Sequence, residues 1–389
     1  MPSRSGARPP RAGAVIWSDA AFARRHGGTI LDSIVILNGL THPHAEMYLE
    51  TLEALDEVSG IVLVDPDADA RAASAQKTHK SRAAYAELGA ALEHPGVTHA
   101  LVALPNDRTP AALVQVIEAG IGVFTEKPGA RSAAEFEPVL AALQRRRVPF
   151  AVAYQNRGAP AIQQGRELYR AGAIGRLMSV ELRMVTTRVG MRDPGSWLFR
   201  REIAGGGILA WLACHWLDAL RFVTGQEIAR VQTELATLSD EAIDVEDTAV
   251  VAFRTSAGAL GSLHCGYLLA IGNPGYRAAG HDISFILRGS DGVIQYAGGR
   301  QESPLVLESL APRWRAASRR TYQFTPTPSP GYGGLAGLDF FRQFLAARSG
   351  DATPADAVDA LRVLEVLDAM YAAAAAGHAV EVARRAISE

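Results

Sequence analysis

The sequence predicts an α/β domain with a doubly wound parallel sheet, joined to an α+β domain with a large, mostly antiparallel sheet. Three observations carry this prediction. At 389 residues the chain is long for one domain. Its first part alternates short apolar segments with segments of helical period, which is typical of βαβ units. Its second part holds longer segments that alternate apolar and polar residues, which is typical of a sheet with one exposed face.

The Rossmann-type, dinucleotide-binding domain is predicted at residues 31–153. Its strands are short, apolar and closed by turn residues, and they are predicted at 34–37, 60–64, 97–104, 122–125 and 149–153. The helices between them are predicted at 45–55, 69–76, 84–92, 111–119 and 132–145. Right-handed crossovers between such strands build a parallel, doubly wound sheet.

The α+β domain for substrate binding and oligomerisation is predicted at residues 154–389. It begins with a helix at 161–171, continues with strands at 177–187, 228–236, 247–254, 259–267 and 281–288, and ends with helices at 338–348 and 354–376. A Gly-rich, unpatterned segment at 267–280 is a candidate active-site or interface loop. Residues 1–30 show no sustained period, and we interpret them as a flexible N-terminal extension.

The composition argues against several classes of protein. A formal net charge of −2 provides no basic field for nucleic-acid binding. We recognise no apolar stretch of the ~18–20 residues that a membrane span needs. The two cysteines, Cys214 and Cys265, form no CxxC pattern, so we expect neither a disulfide framework nor a zinc knuckle. We therefore expect a cytoplasmic protein without nucleic-acid or membrane partners.

The turn after the first strand is where a dinucleotide fold binds the pyrophosphate. The G-x-G-x-x-G pattern is degraded, because Ile36, Asn38 and Thr41 stand at the glycine positions and only a displaced Gly39 remains. A following helix N-terminus still offers N–H groups to a phosphate. We predict that Asn38, Gly39, Leu40 and Thr41 bind cofactor, with an ordinary strand-to-helix turn as the open alternative.

His42 and His44 lie in the same turn and are potential metal ligands. Because no third ligand follows at a recognisable spacing, we expect no metal.

Asp65 ends the second predicted strand. An acid at this position can accept both ribose hydroxyls of adenosine, which favours NAD over NADP. NADP stays open because Arg71 and Lys77 follow closely. The alternative is a turn or helix-cap aspartate.

Lys127 follows the predicted strand 122–125 within Glu126-Lys127-Pro128. The carboxyl edge of such a sheet is where ligands bind. A cationic nicotinamide would lower the pKa of the lysine and suit it to exchange a proton with a hydroxyl. Glu126 is predicted to orient Lys127 or to contact the cofactor.

The preceding strand ends at the same edge of the sheet. Its closing residues Leu104, Pro105 and Asn106, with Thr109 just beyond, are predicted to line the cofactor pocket.

A glycine-rich entry, Gly205-Gly206-Gly207, leads into an apolar helix. Trp211, His215, Asp218 and Phe222 recur there at helical spacing and are predicted to share one face. Asp218 is a candidate to hold His215 in one tautomer. The alternative is a satisfied core histidine.

Together these motifs resemble the Gfo/Idh/MocA family of NAD(P)-dependent oxidoreductases, over about residues 31–380. The motifs that carry the resemblance are Pro105-Asn106, Glu126-Lys127-Pro128, Gln155-Asn156-Arg157, Gly172-x-x-Gly175, Trp197, Gly205-Gly206-Gly207 through His215 and Asp218, Glu246-Asp247 and the closing segment 364–371.

The resemblance implies a Rossmann domain joined to an α+β domain whose open sheet face forms homodimers or homotetramers. It implies oxidation or reduction at a carbon of a sugar, inositol or related polyol, with the roles of catalytic lysine and helical histidine falling on Lys127 and His215. Two positions depart from the family pattern. Trp211 stands where a catalytic aspartate is common, and Thr109 where a histidine is often found.

The favoured hypothesis is an NAD-dependent dehydrogenase in which Lys127 exchanges the hydroxyl proton and His215 assists. The predicted substrate residues are Arg157, Trp197, Arg200, Trp211 and His215. One alternative is an NAD-using glycosidase or lyase that oxidises its substrate transiently. Another is a non-catalytic relative that binds a sugar or dinucleotide, which the lost glycines and Trp211 suggest.

Overall fold

A computed structural model describes residues 32–276, 279–298, 303–325 and 328–386. The N-terminal extension predicted for residues 1–30 lies outside this part of the chain.

The first sheet has six parallel strands in the order β3-β2-β1-β4-β5-β6. The strands are β1 (Ser33–Asn38), β2 (Val58–Val64), β3 (Ser81–Tyr85), β4 (Val97–Val102), β5 (Gly122–Thr125) and β6 (Phe150–Val152). The strand order reverses between β1 and β4, which is the switch point where doubly wound sheets bind ligands. The predicted fold class is confirmed for this part.

Five helices connect these strands and cover the sheet. They are α1 (Ala45–Ala54), α2 (Ala68–Gln76), α3 (Leu88–Leu92), α4 (Thr109–Glu118) and α5 (Ala133–Arg146). The central strands are buried on both faces, and Val35, Leu63 and Phe124 are fully buried. Parallel strands covered by helices on both faces consist of continuous apolar residues, so the sequence pattern predicts them.

The helix predicted at 84–92 is wrong in its first half. Residues Ser81–Tyr85 form the edge strand β3 against β2, and the helix is confined to Leu88–Leu92. The strand contains polar and small residues and is only half-buried, so it lacks the apolar run that marks the central strands.

The second sheet has nine strands in the order β14-β13-β12-β11-β7-β10-β9-β8-β15. They are β7 (Leu177–Thr187), β8 (Ile228–Ala236), β9 (Thr248–Thr255), β10 (Leu260–Leu269), β11 (His281–Gly289), β12 (Gly292–Gly298), β13 (Leu305–Ser309), β14 (Arg319–Tyr322) and β15 (Val380–Glu381). Only the β7–β10 pair is parallel among these described strands. The mostly antiparallel sheet is confirmed, although strands β12 to β15 were not predicted.

The remaining helices pack around the two sheets. They are α6 (Pro160–Arg170), α7 (Arg201–Ala204), α8 (Cys214–Thr224), α9 (Gly334–Ala346) and α10 (Ala357–Ala376). A π-helical turn, Leu209–Ala213, runs directly into α8. The predicted division between residues 153 and 154 falls between β6 and α6 and stays a prediction.

The last helix connects the two parts of the molecule. Helix α10 packs against α5 and β6 of the first part and against β8 and α8 of the second. Just before it, Val152 N donates a hydrogen bond to Ala355 O at 2.9 Å. Within it, the Asp368 carboxylate accepts from Ala133 N at 3.0 Å. The chain therefore returns to its first sheet after completing the second.

One stretch of the described chain, Arg201–Thr224, is long and apolar enough to cross a membrane. It comprises α7, the glycine-rich entry, the π-helical turn and α8. In the structure, 83% of its most apolar window is buried inside the protein, as for a core helix.

Candidate active site

The carboxyl ends of β1, β4 and β5 meet at one edge of the first sheet, and the predicted cofactor residues follow these ends. Gly39 follows β1, Asn106 follows β4, and Lys127 follows β5. Because α8 and its π-helical turn lie across this edge, residues of the second part of the chain complete the site.

Gly39 is the glycine on which the first turn depends. Its φ is +103°, and a Cβ there would lie 1.9 Å from Ala103 O and 3.2 Å from Leu104 Cδ2. The chain can cross the switch point between β1 and β4 only without a side chain at this position. The fold therefore requires a glycine at position 39, although the degraded motif gave no sign of this requirement.

Asp65 faces the same turn. Its Oδ2 accepts hydrogen bonds from Thr41 N at 3.1 Å and from Thr41 Oγ1 at 3.2 Å, and its Oδ1 accepts from Asp67 N at 2.9 Å. The buried Asp65 carboxylate therefore stabilises the turn, and it also lies at the end of β2, where an acid that binds the ribose is expected. Arg71 turns back on the backbone, where its Nη1 donates to Asp65 O at 2.5 Å.

The residues after β4 connect the first sheet to the glycine-rich entry. Asn106 Nδ2 donates to Ala204 O at 2.8 Å, and Asp107 N donates to Ile203 O at 3.1 Å. Thr109 Oγ1 instead donates to the carbonyls of Leu104 and Pro105 at 3.1 and 3.0 Å. Asn106 therefore joins two parts of the molecule, whereas Thr109 closes a local turn.

Lys127 is 1% exposed, although it is a lysine at the end of a strand. Its Nζ donates to Trp211 O at 2.6 Å and lies 3.4 Å from the centroid of the Trp211 ring. Burial lowers the pKa of Lys127, while the negative charge of Glu126 opposes that shift. A lysine with a lowered pKa is suited to accept and return a proton near neutral pH.

Glu126 is the hub of a buried hydrogen-bond network. Its Oε1 accepts from the Tyr48 hydroxyl at 2.7 Å and lies 2.6 Å from His44 Nδ1, while its Oε2 accepts from Lys127 N at 3.0 Å. Burial would raise the pKa of Glu126, but His44 and Lys127 outweigh it and hold the pKa below its usual value. Glu126 therefore carries a negative charge next to Lys127.

The structure corrects the reason for expecting no metal in the first turn. Glu126 brings a third candidate ligand to His42 and His44, and one ligand atom from each of the three lies within 4.8 Å of the others. All three residues are buried. A spacing pattern could not reveal this group because Glu126 arrives from a different strand.

Trp211 lies in the π-helical turn, so the predicted common face is interrupted between Trp211 and His215. A π-helical turn accommodates an extra residue and rotates the rest of the helix relative to an even α-helical spacing. The Trp211 ring accordingly lies over Lys127, whereas the His215 ring lies 6.1 Å from the ring of Tyr154.

His215 Nδ1 is buried and has no hydrogen-bond partner among the described residues. Burial lowers the pKa of His215 to about 3, and the charge of Lys127 acts in the same direction. The ring is therefore neutral at physiological pH, with one nitrogen available to a ligand.

The expectation that Asp218 orients His215 is wrong. Both Asp218 oxygens accept from Arg157, with Oδ2 2.8 Å from Nε and Oδ1 2.5 Å from Nη2. Arg157 also contacts Asp359 Oδ1 at 2.8 Å and is buried. Arg157, predicted to contact substrate, is thus committed to a buried ion-pair network, because a buried guanidinium requires carboxylate partners.

An aromatic cluster surrounds the Lys127 side of the site and includes residues that the sequence did not mark. Trp211 lies 6.3 Å from Trp197 and 6.0 Å from Tyr276, measured between ring centroids. Tyr332 lies 4.3 Å from His44. Tyr276 belongs to the segment 267–280, which the sequence predicts as a candidate active-site or interface loop, whereas no sequence signal marks Tyr332, which precedes α9.

Arg200, another predicted substrate residue, is half-buried, and its Nη1 donates to Ala242 O at 2.7 Å. This contact ties it to the connection between β8 and β9.

The glycine-rich entry is held by Glu246. Glu246 Oε1 accepts from Gly207 N at 2.8 Å, Leu209 N at 3.2 Å and the Tyr371 hydroxyl at 2.9 Å. A Cβ on Gly207 would lie 1.9 Å from Glu246 O, so the backbone of the entry must approach closely. These contacts explain why Glu246-Asp247 and the closing segment 364–371 appear with the glycines in one pattern.

Comparison with known proteins identifies the group to which this architecture belongs. A family model described as "Oxidoreductase family, NAD-binding Rossmann fold" matches residues 36–154, and one described as "GFO/IDH/MocA C-terminal domain" matches residues 162–295. The chain belongs to the Gfo/Idh/MocA family. The resemblance stated from the sequence motifs is thereby confirmed, and so is a nicotinamide cofactor at the level of the family domain.

Two relatives within this family carry names that indicate their substrates. The chain is 26% identical over 234 residues to "Levoglucosan dehydrogenase" from Pseudarthrobacter phenanthrenivorans, covering 54% of this chain and 58% of the relative. It is 25% identical over 265 residues to "Myo-inositol 2-dehydrogenase" from Thermotoga maritima, covering 67% and 74%. The first match thus spans little more than half of either protein.

Solved Gfo/Idh/MocA-like structures share the whole fold. A levoglucosan dehydrogenase in complex with NADH and levoglucosan superimposes with a TM-score of 0.78 at 23% identity, covering 91% of this chain and 100% of that one. An oxidoreductase domain protein from Kribbella flavida gives a TM-score of 0.80 at 22% identity with the same coverage. At these identities the likeness concerns the fold.

Proposed function

We propose that this chain is an NAD-dependent oxidoreductase that transfers hydride between nicotinamide and a hydroxyl- or carbonyl-bearing carbon of a sugar, polyol or sugar derivative. The observation that carries the proposal is the buried Lys127 at the carboxyl end of β5, next to the switch point. A buried amine at that position does not contribute to solubility, but it can transfer a proton.

The residues at the switch point fit a dinucleotide. Gly39 allows the turn after β1 to pass close to Ala103, where a Cβ would clash. The N-terminus of α1 follows this turn and offers N–H groups to a phosphate. Asp65 provides a carboxylate at the end of β2 for the ribose hydroxyls of NAD. Asn38, Leu40 and Thr41 would complete the pyrophosphate site, while Leu104, Pro105, Asn106 and Thr109 would lie nearer the nicotinamide.

When bound, NAD supplies the hydride acceptor. Lys127 as the neutral amine would take the proton of the substrate hydroxyl at Nζ while the carbon gives up its hydride, and the ammonium would return the proton in the reverse direction. Glu126 holds the backbone of Lys127 through a hydrogen bond and keeps a compensating charge beside it. Atoms and charge balance, because one hydride and one proton leave the alcohol.

His215 would assist by accepting or donating one hydrogen bond to a substrate hydroxyl. Its unpartnered Nδ1 supports this role, since a buried polar atom without a partner is costly unless a ligand or water satisfies it. Trp211 and Trp197 would provide an apolar wall for the sugar ring. The sugar or polyol substrate class rests on the names of the two relatives, levoglucosan and myo-inositol dehydrogenases.

The first test is a calorimetric titration of NAD, NADH, NADP and NADPH into cofactor-free protein, followed by a screen of sugars and polyols for NADH formation. Binding of the NAD pair with NADH formation supports the proposal. Cleavage of a glycoside without NADH accumulation would instead favour transient oxidation in a glycosidase or lyase. Absence of any nicotinamide binding would favour a non-catalytic relative.

We further infer that copies of the chain associate through the open face of the second sheet, as a dimer or tetramer. The neighbouring strands β9 and β10 expose Val250 at 51% and Leu260 at 55% on this face. Light scattering is expected to show an oligomer that Val250→Glu with Leu260→Glu dissociates. Leu310→Glu, which replaces a leucine that is 74% exposed and lies outside these strands, serves as the control.

A further inference from the structure

We propose that His42, His44 and Glu126 form a binding site for a divalent transition-metal ion, with Zn²⁺ as the preferred ion. The site shares Glu126 with the proposed oxidoreductase site, where Glu126 Oε2 accepts from Lys127 N, whereas His42 and His44 have no part in the proposed hydride transfer. Two imidazoles and one carboxylate form a donor set that zinc accepts in catalytic centres.

The fold concentrates these ligands. His42 and His44 lie in the turn between β1 and α1, on either side of Pro43, whose ring restricts the backbone between them. Glu126 follows β5 and reaches the same point from across β4. One ligand atom from each lies within 4.8 Å of the others, against about 3.3 Å expected around a tetrahedral zinc. To hold an ion, the more distant ligand atoms must move closer together, and the 2.6 Å contact between His44 Nδ1 and Glu126 Oε1 must lengthen.

The chemical state of the ligands suits a cation. His42, His44 and Glu126 are all buried, so an ion held by them would be shielded from solvent. Ligation by the two histidines requires neutral imidazoles. Glu126 carries the negative charge, and a dication would compensate it inside the protein.

A hydrogen-bond network is the competing account of the same geometry. His44 Nδ1 contacts Glu126 Oε1 at 2.6 Å, and His42 Nδ1 accepts from His44 N at 3.1 Å. A metal would take the place of the His44 ring proton and of the weak bond to His42. The Tyr48 hydroxyl, 2.7 Å from Glu126 Oε1, would remain as an outer hydrogen bond that orients the carboxylate.

The surroundings define how such an ion would be used. Lys127 and Arg192 are the cationic groups that act on His44, so the ion must be held by direct ligation and not by a general negative field. Three protein ligands leave a fourth tetrahedral position for water or for a substrate oxygen. The rings of Trp197 and Trp211 lie 5.7 and 5.9 Å from the His42 ring, so the site borders the aromatic cluster. The ligand class for the fourth position is a hydroxyl or keto oxygen.

The test uses the full chain stripped with a chelator and titrated with Co²⁺ and then Zn²⁺, with visible Co²⁺ absorption and elemental analysis as readouts. We expect one equivalent of metal per chain and tetrahedral Co²⁺ absorption that Zn²⁺ removes. His42→Ala and the nearly isosteric Glu126→Gln should each weaken Zn²⁺ binding by more than about 100-fold, because loss of an outer hydrogen-bond partner alone costs about 10-fold to 100-fold. His79→Ala, which removes an exposed histidine outside the group, should bind as the unmodified chain does.

Two results would overturn the metal site. One is sub-stoichiometric metal without Co²⁺ absorption in protein that is folded by circular dichroism. The other is unchanged Zn²⁺ affinity in both His42→Ala and Glu126→Gln. NAD titration of the same metal-free sample separates the two proposals, since retained NAD binding without metal binding removes only the metal site. Metal binding without NAD binding removes only the proposed oxidoreductase function.

Discussion

Lys127 and Trp211 form one unit, in which the lysine Nζ lies 3.4 Å from the indole centroid and donates to the backbone oxygen of the same tryptophan at 2.6 Å. The backbone contact does not depend on the side chain at position 211, whereas the ring contact does. The two contributions to the state of the lysine can therefore be separated by mutation.

Lys127 is expected to be essential for turnover and dispensable for cofactor binding. Lys127→Ala removes the proton acceptor and should lower kcat by about 10²-fold to 10⁴-fold. Lys127→Arg keeps the positive charge but cannot release its proton, so it should be similarly slow. Steady-state kinetics with NAD titration checks both variants, and unimpaired turnover in either would remove Lys127 from the proton-transfer step.

The pH dependence of oxidation should follow Lys127. Only the neutral amine accepts a proton, so kcat should rise with pH through the lysine pKa, which burial lowers from its ordinary 10.5. Trp211→Ala removes the cation–π contact that favours the ammonium, worth about 0.5–2 kcal/mol. The rising limb of the kcat–pH profile should therefore move to lower pH by roughly 0.4–1.5 units.

A matched variant sharpens this measurement. Trp211→Phe retains an aromatic face and should shift the limb less than Trp211→Ala does. A limb that stays in place, or one that moves to higher pH in Trp211→Ala, would show that the indole does not stabilise the ammonium.

His215 should make the protein sensitive to acid. Its pKa is about 3 in the folded state, below the ordinary 6.5, so between these values the unfolded chain binds the extra proton. The stabilising contribution is full above pH 6.5 and is lost as the pH falls, by about 1.4 kcal/mol per pH unit. Between pH 6.5 and 5 the unmodified chain should lose about 2 kcal/mol more unfolding free energy than His215→Gln. Urea unfolding at both pH values measures the difference, and equal losses would contradict burial of a neutral ring.

The Arg157–Asp218 pair should be needed for stability. Asp218→Ala leaves a buried guanidinium with only Asp359 as acidic partner, and loss of one partner of a buried pair costs about 3–5 kcal/mol. Glu308→Ala, which breaks the exposed pair with Arg319, should cost no more than about 1 kcal/mol. Chemical unfolding compares the two, and similar small losses would mean that Arg157 finds water or another acceptor.

Gly39 should be intolerant of alanine for a reason separate from its φ. Gly39→Ala places a Cβ 1.9 Å from Ala103 O, whereas Gly120, with φ of +77°, has nothing within 4 Å of such a Cβ. Gly120→Ala should cost only the backbone strain of about 1–2 kcal/mol. Gly39→Ala should cost about 1–3 kcal/mol more and weaken NAD binding, because the turn must move away from β4. Equal melting temperatures and NAD affinities in the two variants would contradict this requirement.

The sequence predicted the parts of the fold whose apolar pattern is strong. The central strands of the first sheet are apolar on both faces, and the strands from β7 to β11 alternate over eight residues or more. Edge strands lack such signals, and Ser81–Tyr85 could not be distinguished from the start of a helix. The shorter strands β12 to β15 depend on pairing with neighbours, which no local window contains.

The site divides in the same way. Lys127 and Asp65 were found because strand ends in a doubly wound sheet converge at one edge. The pairing of Asp218 with Arg157 was missed because it depends on how the turn Gln155–Gly158 packs against α8. The π-helical turn Leu209–Ala213 invalidated the even helical spacing assumed between Trp211 and His215. Contacts such as His44 with Tyr332, 288 positions along the chain, have no counterpart in any spacing rule.

The return of α10 to the first sheet has a consequence for recombining members of this family. A chimera that exchanges the two halves at residue 153 would pair Ala133 and Val152 from one parent with Asp368 and Ala355 from the other. The exchangeable unit is therefore not a continuous half. Because the final helix also packs against β8 and α8, a second crossover that keeps it with the nucleotide-binding half would separate it from the other half. A functional hybrid therefore needs parents whose residues match on both surfaces of this helix, wherever the crossover is placed.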